Sequence, residues 1–388
     1  MNIFNFIITN IIETLLRMFP FPCKPGLIRI GKPDQNSLVF LTCNFHLTVE
    51  RVKRALRGID CYLLIANSKG INVWCAATGG HFTNHNVVSI LKTSGIEKLV
   101  SHRKVTLPQL AASGIEAKTI KNKAGWEIIW GPVYAKDIPL FINNNFQKTL
   151  PMREVEFPLP QRIEMAIAWA FPISAISSLV MILFWPKDIF FVVSLIWILS
   201  FLIFISFPIY QHLLNSKGKR IGFIFFDFER GGFQLILWAI FMLILSLYHL
   251  SFGDFSWGFT LHWSFISFIV ILILSLDLMG STPLYKSSLH EDRSLRVVLD
   301  REKCKGIGFC EQVCPRNCFK IDKSRQITTM PAGSVRCIQC GACIIQCPLD
   351  ALYFKNPEGD IIPPDTIRKF KLNFLGKRSI KGTSYTNA

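Results

Sequence analysis

Eight of the twelve cysteines fall between residues 304 and 347, and no cysteine lies between 76 and 303. In a chain of 388 residues, thiols bunched in this way read as a metal site rather than a disulfide scaffold. The second half of the bunch is Cys337-Ile-Gln-Cys340-Gly-Ala-Cys343-Ile-Ile-Gln-Cys347-Pro348. Such a run grips three corners of a [4Fe–4S] cube and sends its fourth thiolate to a second cluster. A structural zinc site uses four thiolates in two short pairs and leaves the others unexplained. The first half departs from the pattern. Cys304, Cys310 and Cys314 are in place, but Ile307 stands where a cysteine is expected. By the logic of the run, Cys314 completes the cube of Cys337, Cys340 and Cys343, while Cys304, Cys310 and Cys347 hold three corners of the other cluster. Either Cys318 supplies its fourth ligand or that site holds [3Fe–4S]. Residues 295–355 are therefore expected to form an α+β ferredoxin domain of bacterial type, followed by a basic tail over 356–388.

Upstream, residues 165–185, 189–214, 233–252 and 255–276 contain no Asp, Glu, Lys or Arg. Each reaches the roughly 20 residues needed to span a bilayer core, so four transmembrane helices are expected within 164–280. Lys217, Lys219, Arg220 and Arg230 lie between the second and third, and Lys286, Arg293 and Arg296 follow the fourth. The positive-inside rule then puts both terminal domains on the cytoplasmic side of a multi-pass membrane protein. Half the residues are hydrophobic, 18% are charged, and the net charge is +17. That balance excludes a disordered chain and assigns the basic excess to membrane lipid rather than nucleic acid. His212, His249 and His262 fall within the spans, but no two share a helix at a ligating spacing, and haem is not assigned. Residues 1–25 read as an amphipathic helix and linker, with Ile3, Phe4, Ile7, Ile8, Ile11 and Leu15 at helical spacing.

Residues 26–150 alternate strand and helix signals: strands at 37–43, 60–66, 98–101 and 126–130, and helices at 48–56 and from Thr83 to Thr93. Such alternation predicts a Rossmann-like α/β domain with a mainly parallel sheet, its ligand at the carboxyl ends of the strands. Two segments lie there, Thr42–Phe45 and the loop Asn72–Gly80. The loop holds one thiol, Cys75, among the small residues Ala76, Ala77, Gly79 and Gly80, which would let a large planar ligand approach the backbone. His81, His85 and His102 are rival metal ligands nearby in sequence.

Asn72-Val-Trp74-Cys75-Ala76-Ala resembles the signature of the membrane corrinoid protein of microbial mercury methylation. So do the flanks Pro25-Gly-Leu, Thr42-Cys-Asn44, Val100-Ser-His-Arg103, Leu107-Pro-Gln109-Leu and Gly131-Pro-Val133. That family joins a Rossmann-like corrinoid domain to membrane helices and works with a separate two-cluster ferredoxin, which residues 295–355 resemble as a fusion. The corrinoid iron–sulfur protein of the acetyl-CoA pathway is a more distant likeness. The resemblance implies a prokaryotic, corrinoid-dependent methyltransferase that binds cobalamin, with Cys75 as catalytic residue and lower cobalt ligand. Asn72, Trp74, Ala76, Thr78 and Gly79 would line the cap, and Thr42 and Asn44 would face the upper side of the corrin. It further implies a folate-dependent methyltransferase as methyl donor, a low-potential electron donor, and mercury(II) as acceptor. The chain departs from the family where Thr78-Gly79 replaces Gly-Lys, and it carries no cysteine after Cys347. The alternatives are a corrinoid methyl carrier for another acceptor, and a membrane-tethered ferredoxin that binds no corrinoid.

Overall fold

A computed structural model of the chain describes residues 11–17, 19–211, 233–252, 256–276, 284, 295–322, 324, 327–330, 336–356, 358–369, 371–372, 378–380 and 383–384. The chain forms two compact units. One takes residues 1–18 and 156–293, the other 19–155 and 294–388.

The second unit opens with a five-stranded sheet of β1 (Gly26–Ile30), β2 (Leu38–Cys43), β3 (Cys61–Ala66), β4 (Lys104–Leu107) and β5 (Glu127–Trp130), ordered β1-β3-β2-β4-β5. β2 to β5 run parallel and β1 is antiparallel to β3. β3 is buried at every position, which is why Cys61–Ala66 reads as an unbroken apolar run: a central parallel strand is covered on both faces. β1 gives no comparable signal. It is an edge strand whose Arg29 is exposed opposite Tyr62. The expected strand at 98–101 is instead a turn. Gly95, at φ 74°, ends the preceding helix in the left-handed region, Ile96–Lys98 follow as a single 3-10 turn, and the strand begins only at Lys104. Ile96 and Val100 are thus buried from a turn. The helix His46–Ala55 starts two residues earlier than expected. Asn84–Thr93 starts from Thr83, whose backbone N–H donates to Asn86 Oδ1 at 2.9 Å. After the sheet, Leu150–Arg153 forms one helical turn.

The same unit contains the cysteine-rich module. β6 (Arg296–Leu299), β9 (Leu352–Lys355) and β10 (Ile361–Ile362) form an antiparallel sheet, and β7 (Lys320–Asp322) pairs with β8 (Ile327–Thr329). Two short helices, Phe309–Val313 and Ala342–Gln346, each begin after a glycine held at positive φ: Gly308 at 92° and Gly341 at 75°. The halves repeat at constant spacing, so Cys304, Ile307, Cys310, Cys314 and Cys318 occupy the places that Cys337, Cys340, Cys343, Cys347 and Ala351 take in the second. Residues 356–369 are not merely a basic tail. Ile362 and Ile367 are buried in the module's core, and Arg368 pairs with Glu116 at 3.4 Å and with Asp365 at 3.3 Å.

In the first unit, helices stand at all four charge-free stretches: Leu159–Phe184, Ile189–Ile205, Phe233–Phe252 and Trp257–Leu276. Two segments, Leu159–Phe184 and Pro186–Ile205, are long and apolar enough to cross a membrane. Leu235–Ser251 and Trp257–Leu272 are shorter apolar helices. The second expected span stops at Ile205, and Phe207–Tyr210 restarts as a separate turn. Pro208 lacks the N–H needed to carry a helix through. Ala166 and Ala170 are fully buried where the first two helices meet, and Ser200 Oγ donates to Ala166 O at 2.8 Å. The basic residues expected to orient the spans at 217–230, with Lys286 and Arg293, lie outside the described residues, as do His212 and most of the expected helix over 1–19. Within the described part of that helix, Glu13–Leu15 is a single turn and Arg17 pairs with Glu164. His262 Nε2 lies 3.4 Å from Asp188 Oδ2, and His249 packs against the ring of Phe259.

Candidate functional site

In a doubly wound sheet the crevice opens where the strand order reverses, here between the carboxyl ends of β2 and β4. Cys75 is carried beside it by a helical turn, Val73–Thr78, that replaces the expected open loop. Asn72 caps this turn. Its Oδ1 accepts from Cys75 N at 3.0 Å and its Nδ2 points a donor at Cys75 Sγ, 3.4 Å away. The helical period puts Val73, Ala76 and Ala77 in the core and leaves Cys75 exposed. Ala76 is therefore a packing residue, completely buried, and does not line the cap as expected. Trp74 is half-buried, and Thr78 Oγ1 donates back to Trp74 O at 2.9 Å. A Cβ on Gly79 would stand 2.8 Å from Cys75 O, so this position admits only glycine without a backbone shift.

Thr42 and Asn44 have different parts. Thr42 is buried at the end of β2, and its hydroxyl finds no hydrogen-bond partner among the described residues. Asn44 does not present its amide to a ligand. Its Oδ1 accepts from Ser68 N, Ser68 Oγ and Gly70 N at 2.8–3.0 Å, and its Nδ2 donates to Cys23 O. It holds the loop that leads to the Cys75 turn. Of the rival histidines, His102 sits at the amino end of the sheet with both ring nitrogens engaged, by Ser37 O and Lys104 N. His81 follows the Cys75 turn. Burial, and then the nearby Lys69, lower its pKa from the ordinary histidine value, which favours the neutral ring. The exposed thiol with its Asn72 donor, and the Thr42 hydroxyl unpartnered among the described residues, are the features at this edge that suit a bound ligand.

The cysteine-rich module brings its thiols together in two groups. Cys304, Cys310 and Cys347 line one solvent-open cavity of about 340 Å³ together with Ile307 and Thr328. Thr328 Oγ1 lies 3.5 Å from Cys310 Sγ. Cys314, Cys337, Cys340 and Cys343 form the other group, with Cys318 among them: Cys318 N donates to Cys314 Sγ at 3.3 Å, and its thiol faces those of Cys314 and Cys337. Cys318 therefore does not join Cys304, Cys310 and Cys347, where sequence reasoning could put it. Burial pushes the Cys310 thiol up to about 11 and Cys343 well above the ordinary cysteine value. Thiols so buried ionise when a metal takes the place of their protons. Among the described residues, no three His, Cys, Asp or Glu side chains converge on a single metal ion. The donor set, soft sulfur gathered in two groups, suits iron–sulfur clusters.

Sequence reasoning missed the seam between the two modules of this unit. After β4, the 3-10 segment Gln109–Ser113 is buried against the Cys75 turn. Gly114 makes that approach possible: a Cβ there would lie 2.5 Å from Ala77 O and 2.7 Å from Phe82 O. Onto the other side of the segment packs the helix Ala342–Gln346, between two expected cluster ligands. Gln346 Nε2 donates to Ala112 O at 2.8 Å and Ile115 O at 2.6 Å, and its Oε1 accepts from Ala117 N at 3.2 Å. Val313 and Ala342 belong to the same apolar core as the parallel sheet, and Cys340 packs against it. Around this core Arg153 pairs with Glu311 at 3.1 Å, Arg336 pairs with Glu154, and Lys148 Nζ bridges Gln109 Oε1 and Gln312 O. Burial, then Arg153, lower the Lys148 ammonium to about 7. No short motif carries this seam. Its one sequence signal is the polar Gln346 within an otherwise apolar helical turn.

Residues 16–142 match the family described as CO dehydrogenase/acetyl-CoA synthase delta subunit, and residues 302–351 match the 4Fe-4S dicluster domain. The acetyl-CoA decarbonylase/synthase complex subunit gamma of Methanocaldococcus jannaschii is 36% identical over 133 residues, 34% of this chain and 27% of that protein. The subunits gamma of Methanopyrus kandleri and Archaeoglobus fulgidus are 35% and 34% identical over 125 and 129 residues, 32% and 33% of this chain and 27% of each relative. The chain thus spans about a quarter of the length of these relatives. The matches support a corrinoid and iron–sulfur clusters as cofactors. They run to the more distant of the two resemblances, the acetyl-CoA pathway, and give mercury(II) as acceptor no support.

Proposed function

We propose that the chain is a corrinoid methyl carrier with its own electron supply, the α/β domain holding the corrinoid and the ferredoxin module keeping it active. One observation carries this reading. The segment Gln109–Ser113 touches the Cys75 turn on one side and the cluster-bearing helix Ala342–Gln346 on the other, so the two expected cofactor sites share a single buried wall. A corrinoid, when bound, supplies a cobalt that accepts and passes on a methyl group, and clusters with potentials around −400 mV or below supply the low-potential electrons such chemistry needs. Cys75 would hold the metal, its own position set by its capped backbone N–H and by Asn72 Nδ2. Trp74, Thr78 and Gly79 would border the ring, with Thr42 at the end of β2. Asn44 and Gln109 would position the two loops without touching the ligand. Cys314, Cys337, Cys340 and Cys343 would hold the cluster nearer the α/β domain, since Cys340 packs against its core.

Since the relatives are named as subunits of a complex, we infer a protein partner at the open carboxyl edge. The first unit is read as a lipid anchor with four spans and both ends of the chain on the cytoplasmic face. Leu183, Phe190, Ile209 and Trp257 are 72–76% exposed, an outward apolar surface that a bilayer would cover.

The deciding experiment is anaerobic purification of the full chain with cobalamin present, followed by cobalt and iron counts on the wild type and Cys75→Ala. Near-stoichiometric cobalt, with a visible spectrum altered or cobalt lost in Cys75→Ala, supports the reading. Iron without cobalt in the wild type refutes it and leaves a tethered ferredoxin.

A further inference from the structure

The two halves of the cysteine-rich module repeat, yet their metal sites differ. In the second half, Ala351 N donates to Cys347 Sγ at 3.3 Å; in the first half, Cys318 N donates to Cys314 Sγ at the same distance. Cys318 is therefore the counterpart of Ala351. Its backbone place is that of a hydrogen-bond donor to the last thiolate of its own half, and that thiolate, Cys314, stands with Cys337 and Cys343. The thiol of Cys318 points into the same group. The cavity lined by Cys304, Cys310 and Cys347 receives neither Cys314 nor Cys318. The counterpart of Cys340 in it is Ile307, half exposed and without a donor atom. Among the described residues, the remaining polar side chain buried against this cavity is Thr328, whose hydroxyl lies 3.5 Å from the Cys310 sulfur.

Resting on the iron–sulfur reading above, we propose that the first site is ligated by Cys304, Cys310 and Cys347 alone and holds a [3Fe–4S] cluster, with Cys318 an unligated thiol beside the second, four-iron cluster. A cube needs a donor at each of its four irons. Three thiolates with an isoleucine at the fourth corner satisfy a cluster that lacks the corner iron. The Thr328 hydroxyl then serves as a positioning group, and a hydrogen bond to cluster sulfur is one of the settings of its potential. Because the four-iron cluster is the one against the α/β core, delivery of low-potential electrons falls to it.

The test is EPR and iron analysis on the full chain purified without oxygen, for the wild type, Cys318→Ser and Ile307→Cys. The expected wild-type result is the near-isotropic signal of an oxidised three-iron cluster, at about one spin per chain, with one iron fewer than two cubes hold. Cys318→Ser keeps that signal. Ile307→Cys loses it and gains a second reducible four-iron signal. Two reducible four-iron signals in the wild type overturn the proposal, and if Cys318→Ser then converts one of them to a three-iron signal, Cys318 is the fourth ligand. Should Ile307→Cys fail to fold, the wild-type and Cys318→Ser spectra still decide. A chain with no iron at all defeats the iron–sulfur reading itself, an outcome distinct from either cluster assignment.

Discussion

Gln346 offers a direct measure of how firmly the two modules of the second unit are joined. Its side chain is buried and engages Ala112 O, Ile115 O and Ala117 N. Gln346→Ala removes these three hydrogen bonds and leaves the three backbone groups without them in a largely dry seam. At about 1 kcal/mol net for each bond, the seam loses about 3 kcal/mol. Since about 1.4 kcal/mol is a factor of ten, opening becomes about a hundredfold more frequent. Hydrogen exchange reports this at the amide concerned, because the Ala117 N–H is held by Gln346 itself. Protection at Ala117, and across 110–117, should fall by about two decades, while β3 in the sheet centre stays protected. Iron content serves as the control that Cys347 still holds its cluster. If the variant keeps its iron and Ala117 exchanges as slowly as in the wild type, the seam does not rest on this side chain, and the argument for a shared wall loses its support.

Gly114→Ala should wedge the docking segment away from the Cys75 turn. With two carbonyls under 3 Å from the new methyl, a cost of about 1–3 kcal/mol is expected, read as a lower Tm. Asn72→Ala removes the cap of Val73–Thr78 and should cost about 1 kcal/mol. In cobalt-loaded protein it should also shift the visible spectrum, which a mere loss of helix stability elsewhere would not do. Lys148 links stability to pH. Its ammonium titrates near 7 in the folded chain, so between about 7 and the ordinary lysine value the unfolded chain holds a proton that the folded chain has released, and stability rises with pH across that window. At about 1.4 kcal/mol per pKa unit the full swing would approach about 5 kcal/mol. The side chain is only partly buried, so water still screens it in part, leaving about 1–3 kcal/mol. Denaturation midpoints near pH 7 and pH 9 should differ in the wild type and coincide in Lys148→Met.

What could be read from the sequence follows physical lines. Cys61–Ala66 and Leu38–Cys43 announced themselves because strands covered on both faces must be apolar throughout. The second cysteine run was equally plain, since its spacing is set by the turn it must make. Gly26–Ile30 was silent, as an edge strand half open to water carries a weak pattern. Leu99 and Val100 suggested a strand that the left-handed Gly95 replaced with a turn. At the candidate site, Cys75 stood out because a thiol among small residues is chemically conspicuous. That Ala76 faces inward emerged only with the helical turn, whose period sequence alone did not fix. Asn44 looked like a ligand contact and proved to be a loop brace, for the groups it serves, Ser68 N and Gly70 N, are distant in sequence. The seam around Gln346 was hidden for the same reason: its partners, residues 112–117, lie more than two hundred positions upstream.

The unit that holds both candidate cofactor sites is assembled from two lengths of chain, 19–155 and 294–388, separated by the whole of the apolar helical unit. Synthesis therefore runs out of step with assembly. The parallel sheet and its docking segment leave the ribosome before the helical unit, and at ~5–20 residues per second roughly 7–28 s pass before residues 294–388 begin to emerge. For that interval Ala111, Ala112 and the backbone groups that Gln346 will later satisfy stand without their cover. A nascent chain halted within the helical unit should thus expose the 109–117 segment to protease, and one carried past Gln346 should not. The order of translation makes the ferredoxin module the piece that closes this unit.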